Sequence, residues 1–408
     1  MAGAACSCRT LRTNEGLGLT PDSQHPTSTC PSPASVAVYV HIPWCASICP
    51  YCDFDKQASD FRLVDAYIDA IIGHMYAQAR RPSHSVYFGG GTPSLLTPAR
   101  LSRLIRAWRA RFGVTEPHEV TVESNPSDVV AHKVEAYLDA GVTRVSLGVQ
   151  SLNDEELRFL GRRHTADKAV RAARAVREAG ISDLSVDLMY GLPGQTLESI
   201  RRSLSGLVEL EPDHISCYAL TLEADTPMGA DVALGKLYLP EDDAIADQYA
   251  EIQRVLGDSG FEQYELSNWA RPGHQSLHNL TYWRNGEWIG LGAGAAGSVS
   301  GLRYKRTPNV RDYIAATTDG APGYVECEAW SQPARMRDTI MLGLRLAEGV
   351  SGPDFAASYG VALQNYCGDR LSQLVEAGVL RWQNERLALN PASYFVCNAV
   401  LSELLPPA

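Results

Sequence analysis

The chain has 408 residues, of which 45% are hydrophobic and 20% charged, an ordinary composition for a globular protein with room for one large domain and a smaller one. No stretch reaches the roughly 18 consecutive apolar residues of a membrane-spanning helix, which argues against an integral membrane protein. The formal net charge of −11 disfavours sequence-independent binding to nucleic acid, because such binding depends on neutralising phosphates, so we expect no nucleic-acid partner.

The first 35 residues differ from the rest of the chain. They are rich in Ser, Thr, Pro and Gly without a hydrophobic period, so we expect a disordered tail over residues 1–35. The tail has no apolar core of a secretory signal, and its two arginines make an organelle transit peptide a weak alternative. Three of the ten cysteines lie within eight residues, which is more typical of metal binding than of disulfides and favours a reducing compartment, the cytoplasm.

Six apolar runs follow, each rich in Val, Ile, Tyr or Leu and typical of a buried strand. They are VAVYVHI (36–42), SVYFGGG (85–91), HEVTVES (118–124), TRVSLGVQ (143–150), DLSVDLMYG (183–191) and DHISCYALT (213–221). Helical periods lie between them, as over Val64–Met75 and Leu101–Phe112, the second after Thr97 as cap and Pro98 at the first position. Six strand–helix repeats predict an α/β fold, a partial parallel (β/α)6 barrel of the TIM type.

Polar or glycine residues end four of these runs. Gly89–Gly91 end the second run, Glu123 the third, Gln150 the fourth and Asp187 the fifth. A barrel of this kind places its chemistry at the carboxyl ends of its strands. Four such positions in register therefore indicate a ligand that lies across the barrel mouth.

The chain after residue 222 is irregular until a smaller unit appears near the C-terminus. Its pattern predicts a helix through Met336–Leu346, a helix through Gln364–Ala377 and a strand pair in LRWQNERLALN, a winged-helix-like arrangement. A winged helix often binds DNA, but the acidic chain favours a structural or partner-docking role. We predict a barrel core over 36–222, an extension over 223–329 and a C-terminal unit over 330–408.

A cysteine triad follows the first strand in YVHIPWCASICPYCDF. Cys45, Cys49 and Cys52 have C-x3-C-x2-C spacing, and thiolates are the usual ligands of iron–sulfur clusters. Three thiolates on a 4Fe–4S cluster leave one iron for the amino and carboxylate groups of S-adenosylmethionine, from which the reduced cluster can generate a 5′-deoxyadenosyl radical. Structural zinc with His41 as fourth ligand is the alternative. The run GGGTP (89–93) favours the cluster, because glycine backbone permits close approach and offers N–H groups to a carboxylate.

The sequence resembles the radical S-adenosylmethionine proteins of the oxygen-independent coproporphyrinogen III dehydrogenase family. The matching runs include YVHIPWC, YFGGGTPSLL, VESNP, LGVQSLNDEELRFLGRRH and DLMYGLPGQT. The resemblance covers nearly everything from residue 36 onward and implies a 4Fe–4S cluster and S-adenosylmethionine as cofactors. It implies S-adenosylmethionine contacts from Tyr39, Tyr51, Gly90, Gly91, Thr92, Glu123, Gln150, Arg162 and Asp187.

Two sequence features help to decide whether the chain resembles the dehydrogenases or the heme chaperones of this family. In the dehydrogenases the triad is followed by another cysteine, whereas this chain has Phe54 there, and its tail does not resemble the N-terminal segment that helps to hold their substrate. The segment HNLTYW (278–283) matches the H-N-x-x-Y-W signature of the heme chaperones in the family. This match implies heme as a further ligand, with His278 as the candidate iron ligand and His274 and Cys217 as other candidates.

The resemblance therefore implies a chaperone that binds heme and delivers it to acceptor apo-proteins, with an electron donor for its cluster. It leaves open whether the chain is an enzyme and whether it forms a homodimer. The alternative is a dehydrogenase that converts coproporphyrinogen III to protoporphyrinogen IX, and a radical enzyme on another substrate comes third. The run GLGAGAAGS (290–298) departs from the usual G-x-G-A-x-S ending, so no contacts are assigned to it.

Overall fold

Six parallel strands form the centre of the protein. The structure is a computed structural model that describes residues 35–58 and 60–405. The strands are β1 (Val36–Ile42), β2 (Pro82–Gly90), β3 (Gly113–Ser124), β4 (Arg144–Gln150), β5 (Asp183–Tyr190) and β6 (His214–Ala219). Each pairs in parallel with the next along the chain, which confirms the predicted α/β fold with a largely parallel sheet. Except for Ser35, the predicted tail lies outside the described residues.

Helices connect these strands. They are α1 (Val64–Ala77), α2 (Pro98–Arg111), α3 (Ala131–Ala140), α4 (Asp154–Phe159), α5 (Ala166–Glu178) and α6 (Leu197–Val208). The predicted start of α2 is confirmed: Pro98 is its first residue, and the Thr97 hydroxyl accepts a hydrogen bond from the Arg100 N–H. The strands are buried over most of their length, as expected for a parallel sheet packed against helices.

Residues after 222 extend the sheet at both edges. The added strands are β7 (Glu262–Glu265), β8 (Asn268–Ala270), β9 (Trp288–Leu291), β10 (Ala296–Val299), β11 (Leu302–Arg306) and β12 (Tyr324–Ala329). β8 pairs antiparallel with β6 and with β7, whereas β9 pairs in parallel with β1 and leads into antiparallel β10–β12. These strands escaped the sequence analysis because most are only three to five residues long, too short for an alternating pattern to stand out.

Helices of the extension and of the C-terminal region complete the described chain. They are α7 (Pro227–Ala233), α8 (Asp242–Asp258), α9 (Leu277–Trp283), α10 (Val310–Thr318), α11 (Gln332–Gly343), α12 (Gly352–Tyr359), α13 (Leu363–Cys367), α14 (Asp369–Glu376) and α15 (Cys397–Leu404). Short 3-10 turns lie at Phe61–Leu63, Pro93–Leu95 and Pro391–Val396. Among residues 35–58 and 60–405, no helix combines the length and apolar character needed to cross a bilayer.

The C-terminal unit has the predicted wing and one broken helix. β14 (Leu380–Gln383) and β15 (Arg386–Leu389) form an antiparallel hairpin, and β13 (Val350–Ser351) pairs with β15. The single helix predicted through Gln364–Ala377 is wrong, since α13 and α14 are separated at Gly368, whose φ of 63° and ψ of −156° leave the helical region.

The C-terminal unit is joined to the central sheet through the backbone. The Ala347 N–H donates to the Tyr264 carbonyl oxygen at 2.9 Å, and Glu265 on β7 forms an isolated antiparallel bridge with Leu346. One continuous hydrophobic core runs from Val36 in β1 to Leu405 after α15. The predicted boundaries at 36, 222 and 329 stay predictions.

Candidate functional site

The cysteine triad lies on the loop that leaves the carboxyl end of β1. Residues Trp44–Cys45 pair in parallel with Gln57–Ala58, which turns the loop back on itself. Cys45 is buried, Cys49 and Cys52 are half-buried, and none of the three is in a disulfide. All three line the same cavity, so the loop presents three thiols to one space.

Polar groups approach two of the thiols. The Thr92 hydroxyl donates to Cys45 Sγ at 3.6 Å, and Arg162 Nη1 donates to Cys49 Sγ at 3.7 Å. Burial raises the pKa of the Cys45 and Cys52 thiols, so the protein alone keeps these two protonated at neutral pH. A bound metal would supply the positive charge that converts them to thiolates.

The spread of the sulfur atoms bears on the zinc alternative. Thiolates around a single zinc ion lie about 4 Å apart, because Zn–S bonds are about 2.3 Å long. Among the described residues, one trio of His, Cys, Asp and Glu donors lies within 4.8 Å of one another, and it is Asp183, Asp213 and His274, not the triad. Both ring nitrogens of His41 are hydrogen-bonded elsewhere, at 2.7 and 3.0 Å. The triad and His41 therefore do not form a ready-made site for one zinc ion.

A cavity of about 410 Å³ opens beside the triad and extends between the strands. With the exception of Tyr39, the residues for which the resemblance implies S-adenosylmethionine contacts all line it: Tyr51, Gly90, Gly91, Thr92, Glu123, Gln150, Arg162 and Asp187. Tyr39 does not line this cavity, and its hydroxyl is 3.0 Å from His41 Nδ1. The fold thus gathers the predicted residues, whose binding of the cofactor stays a prediction.

Two half-buried carboxyl groups face this cavity, one from β3 and one from β5. Glu123 on β3 accepts hydrogen bonds from the Tyr87 hydroxyl at 2.7 Å and the Gly90 N–H at 3.1 Å. Asp187 on β5 accepts one from the Ser146 hydroxyl at 3.3 Å. Burial raises the pKa of Glu123 to about 7 and that of Asp187 to about 6, because a charged form loses its hydration there. A ligand bearing an ammonium or hydroxyl group would favour their ionised forms.

The glycine run packs tightly against the cluster loop. A Cβ on Gly90, whose φ is 108°, would lie 2.3 Å from the His41 ring, and a Cβ on Gly91 would lie 2.7 Å from the Trp44 carbonyl oxygen. The Gly90 N–H donates to Glu123, and the Gly91 N–H donates to Ile42 O at 2.8 Å. Both N–H groups are thus engaged within the protein, and glycine is required here for close packing. A contact of these groups with a ligand carboxylate stays a prediction.

The HNLTYW segment (278–283) makes up most of α9 (Leu277–Trp283). Asn279 of this segment lines the cavity, whereas His278 does not. His278 has no exposed surface, and its Nδ1 and Nε2 lie 2.9 Å from Ser85 Oγ and 2.7 Å from the Tyr282 hydroxyl. Ligation of a heme iron by His278 would require this environment to open. His274 Nδ1 lies 2.6 Å from Asp183 Oδ1, and Cys217 is buried with its pKa raised by burial. The assignment of a heme ligand stays a prediction.

Tyr87 is a site residue that the sequence analysis missed. It lies on β2 two positions before Gly89, and side chains two apart on a strand point to the same face. Its ring lines the cavity and its hydroxyl holds Glu123. The alternation of Ser85, Tyr87 and Gly89 along this strand could have indicated that Tyr87 shares the face of the glycine run.

Comparison with known protein families finds one match in the central sheet region and another in the C-terminal unit. A model of the radical SAM superfamily matches residues 39–205, and a model of the HemN C-terminal domain matches residues 330–396. The heme chaperone HemW of Lactococcus lactis is 34% identical over 370 residues, which are 90% of this chain and 97% of that protein. The chain belongs to the HemW family. The HemW protein of Escherichia coli is 41% identical over 360 residues, covering 85% of this chain and 91% of its own length.

Membership in the HemW family brings with it the radical SAM cofactors, a 4Fe–4S cluster and S-adenosylmethionine. The mitochondrial radical S-adenosyl methionine domain-containing protein 1 of Mus musculus is also similar, at 40% identity over 79% of this chain and 76% of its own. The solved structure of coproporphyrinogen III oxidase HemN from Escherichia coli superposes with a TM-score of 0.78 at 21% identity, covering 91% of this chain and 90% of that one. This likeness shows a shared fold.

Proposed function

We propose that this protein is a cytoplasmic heme chaperone, which binds heme and delivers it to acceptor apo-proteins. One observation carries the proposal: relatives named heme chaperone HemW match this chain at 33–41% identity, several of them along nearly their whole length. An electron donor for the cluster and one or more apo-proteins are the partners that this function requires. The cluster and S-adenosylmethionine serve heme handling in this proposal.

Cys45, Cys49 and Cys52 are the proposed cluster ligands, since all three face the cavity. When bound, the cluster supplies an electron at the iron that has no protein ligand. The chain's own contribution is to bind and orient S-adenosylmethionine. Arg162 lines the cavity, and its positive charge there favours a bound carboxylate. Glu123 can accept from the ammonium or hydroxyl groups of the same ligand.

Phe54 distinguishes the proposal from the dehydrogenase alternative. The likeness to HemN is one of fold alone, so it does not choose between the two functions. However, Phe54 stands where the dehydrogenases have a further cysteine, lines the cavity and is 62% exposed. A radical reaction needs its substrate held at near-attack distance, and misplacement costs orders of magnitude in rate. An altered cavity wall therefore favours binding over turnover.

Apolar side chains beside the cavity suit a porphyrin face. Ile48, on the same loop as Phe54, is 48% exposed. α7 contacts this loop, because the Met228 N–H donates to Pro50 O at 3.0 Å, and the exposed Leu234 follows α7. Exposed apolar groups around a concave site are typical of ligand-binding surfaces. We propose this surface as the place where heme docks.

Anaerobic incubation with coproporphyrinogen III, with heme titration in parallel, tests the proposed function. We expect the reconstituted protein to give a stable heme absorption spectrum and to transfer heme to an acceptor apo-protein, while no protoporphyrinogen forms. Phe54→Ser should weaken heme retention severalfold, since it removes a large apolar face. Phe61→Ser, a matched change at another exposed phenylalanine, should leave it unchanged.

Turnover of coproporphyrinogen III to protoporphyrinogen, without a stable heme complex, would establish the dehydrogenase instead.

The residue that ligates the heme iron can be identified in the same heme titration. If His278→Ala alters the heme spectrum, the ligand predicted from the resemblance is supported. If the spectrum is intact, His274 is the next position to test.

A further inference from the structure

Helix α9 and the Ser276 that caps it contribute to the wall of the cavity and are tied to β3. Ser276 Oγ and the Leu277 N–H both donate to the Glu119 carboxylate on β3, at 3.1 and 2.8 Å. Ser276 and Asn279 line the cavity. Because Glu119 pairs with Ser85 across β2 and β3, α9 is fixed to the sheet on the amino-terminal side of the glycine run.

His278 projects from α9 against the aromatic residue that supports the cofactor site. Its ring stacks on Tyr87 with 4.9 Å between ring centroids and 25° between planes. Tyr39 stacks on Tyr87 as well, at 6.2 Å and 26°. Burial lowers the pKa of His278 to about 3, so the ring is neutral, with one nitrogen donating and the other accepting. Ser85 and Tyr282 satisfy both nitrogens, which fixes the plane of the ring.

The contacts continue from Tyr87 to the carboxylate in the cavity. The Tyr87 hydroxyl donates to Glu123 Oε1 at 2.7 Å, while Glu123 Oε2 accepts from Gly90. We infer that His278 is a positioning residue for the S-adenosylmethionine site, acting through Tyr87 on the carboxylate of Glu123. The inference rests on the proposed role of Glu123 in binding that cofactor. It assigns to the HNLTYW segment a role in the radical SAM site in addition to any role toward heme.

The geometry explains why a histidine serves here better than an apolar ring. A phenylalanine at 278 could stack on Tyr87 but would leave Ser85 and the Tyr282 hydroxyl without their buried partner. Tyr282 in turn packs edge-on against Trp288 of β9, at 4.9 Å. The ring of His278 is therefore held by hydrogen bonds at both nitrogens while its face lies against Tyr87.

A double-mutant cycle between His278 and Tyr87 tests the inference. S-adenosylmethionine affinity is measured by calorimetry on anaerobically reconstituted protein, together with the change that S-adenosylmethionine causes in the paramagnetic resonance spectrum of the reduced cluster. We expect His278→Ala to weaken binding about three- to tenfold in the wild-type background and less than twofold in the Tyr87→Phe background, where no hydroxyl holds Glu123. His278→Gln, whose amide can reach Tyr282, should recover part of the affinity.

A control and the contrary outcomes complete the test. His74→Ala removes a buried histidine that also stacks on a tyrosine, Tyr313, and lies outside the cavity lining, so it should leave the affinity and the spectrum unchanged. An equal loss from His278→Ala in both backgrounds, or loss of the heme spectrum with unaltered S-adenosylmethionine binding, overturns the inference. If Glu123→Gln itself leaves the affinity unchanged, the proposed cofactor assignment is the part that fails.

Discussion

Replacing Cys45, Cys49 and Cys52 together by alanine is expected to abolish iron binding. The anaerobically reconstituted wild-type protein should hold about four irons per chain and show the broad visible absorption of a cluster, whereas the variant should show neither. The reason is geometric: these three thiols share one cavity, and no other cysteine in residues 35–58 and 60–405 lines it. Iron and sulfide analysis with absorption spectroscopy provides the measurement.

The exposed Cys327 on β12 offers a matched control for the loss of a thiol. Cys327→Ala should retain the full iron content and the same spectrum, because it lies outside the cavity lining. Stoichiometric zinc in the wild-type protein, with no uptake of iron under reducing conditions, would contradict the cluster and restore the zinc site as the better interpretation.

Replacing Glu123 by glutamine is expected to weaken S-adenosylmethionine binding about tenfold or more while the cluster stays intact. A hydrogen bond to a charged group contributes about 1.5–3 kcal/mol, which corresponds to that loss. Asp187→Asn should act in the same direction, because the carboxyl groups lie in the same cavity. Glu198→Gln, an exposed change on α6, should have no effect. Unchanged affinity in both cavity variants would refute the assignment.

The pH dependence of binding follows from the raised pKa of Glu123. The free carboxyl is protonated below pH about 7 because burial disfavours its charge, whereas a cationic ligand favours the ionised form. Binding therefore releases a proton, and affinity should fall as the pH is lowered from 8 to 6. In Glu123→Gln this part of the pH dependence should disappear, which titration at several pH values can check.

The sequence was sufficient to predict the elements that repeat or that carry distinctive chemistry. The six core strands have long apolar runs, and the triad directly follows the first of them. Glu123 lies one residue before the end of β3, as predicted, whereas Asp187, predicted at the end of β5, is followed by three more residues of that strand. These predictions depend on local pattern and on the general placement of sites in such folds. The grouping of the cofactor residues around one cavity follows directly from that placement.

What the sequence did not reveal depends on contacts between distant segments. The short strands β7–β12 carry no periodic signal of their own and are fixed by pairing with the core. The role of Gly91 as a close-packing residue needs the Trp44 carbonyl, 47 positions away in the chain, to be placed first. His278 likewise looked like an available imidazole, and its two hydrogen-bond partners become apparent only when α9 lies against β2.

The backbone link between β7 and the C-terminal unit has a consequence for how this chain can be divided. Leu346 and Ala347 cover the free side of β7, which would otherwise be a bare edge able to recruit strands from other molecules. A chain that ended before Gln332 would uncover that edge and also strip apolar partners from the shared core. Residues 39–331 expressed without the C-terminal unit are therefore expected to aggregate more readily than the uncut chain, because β7 lies in the part that is retained.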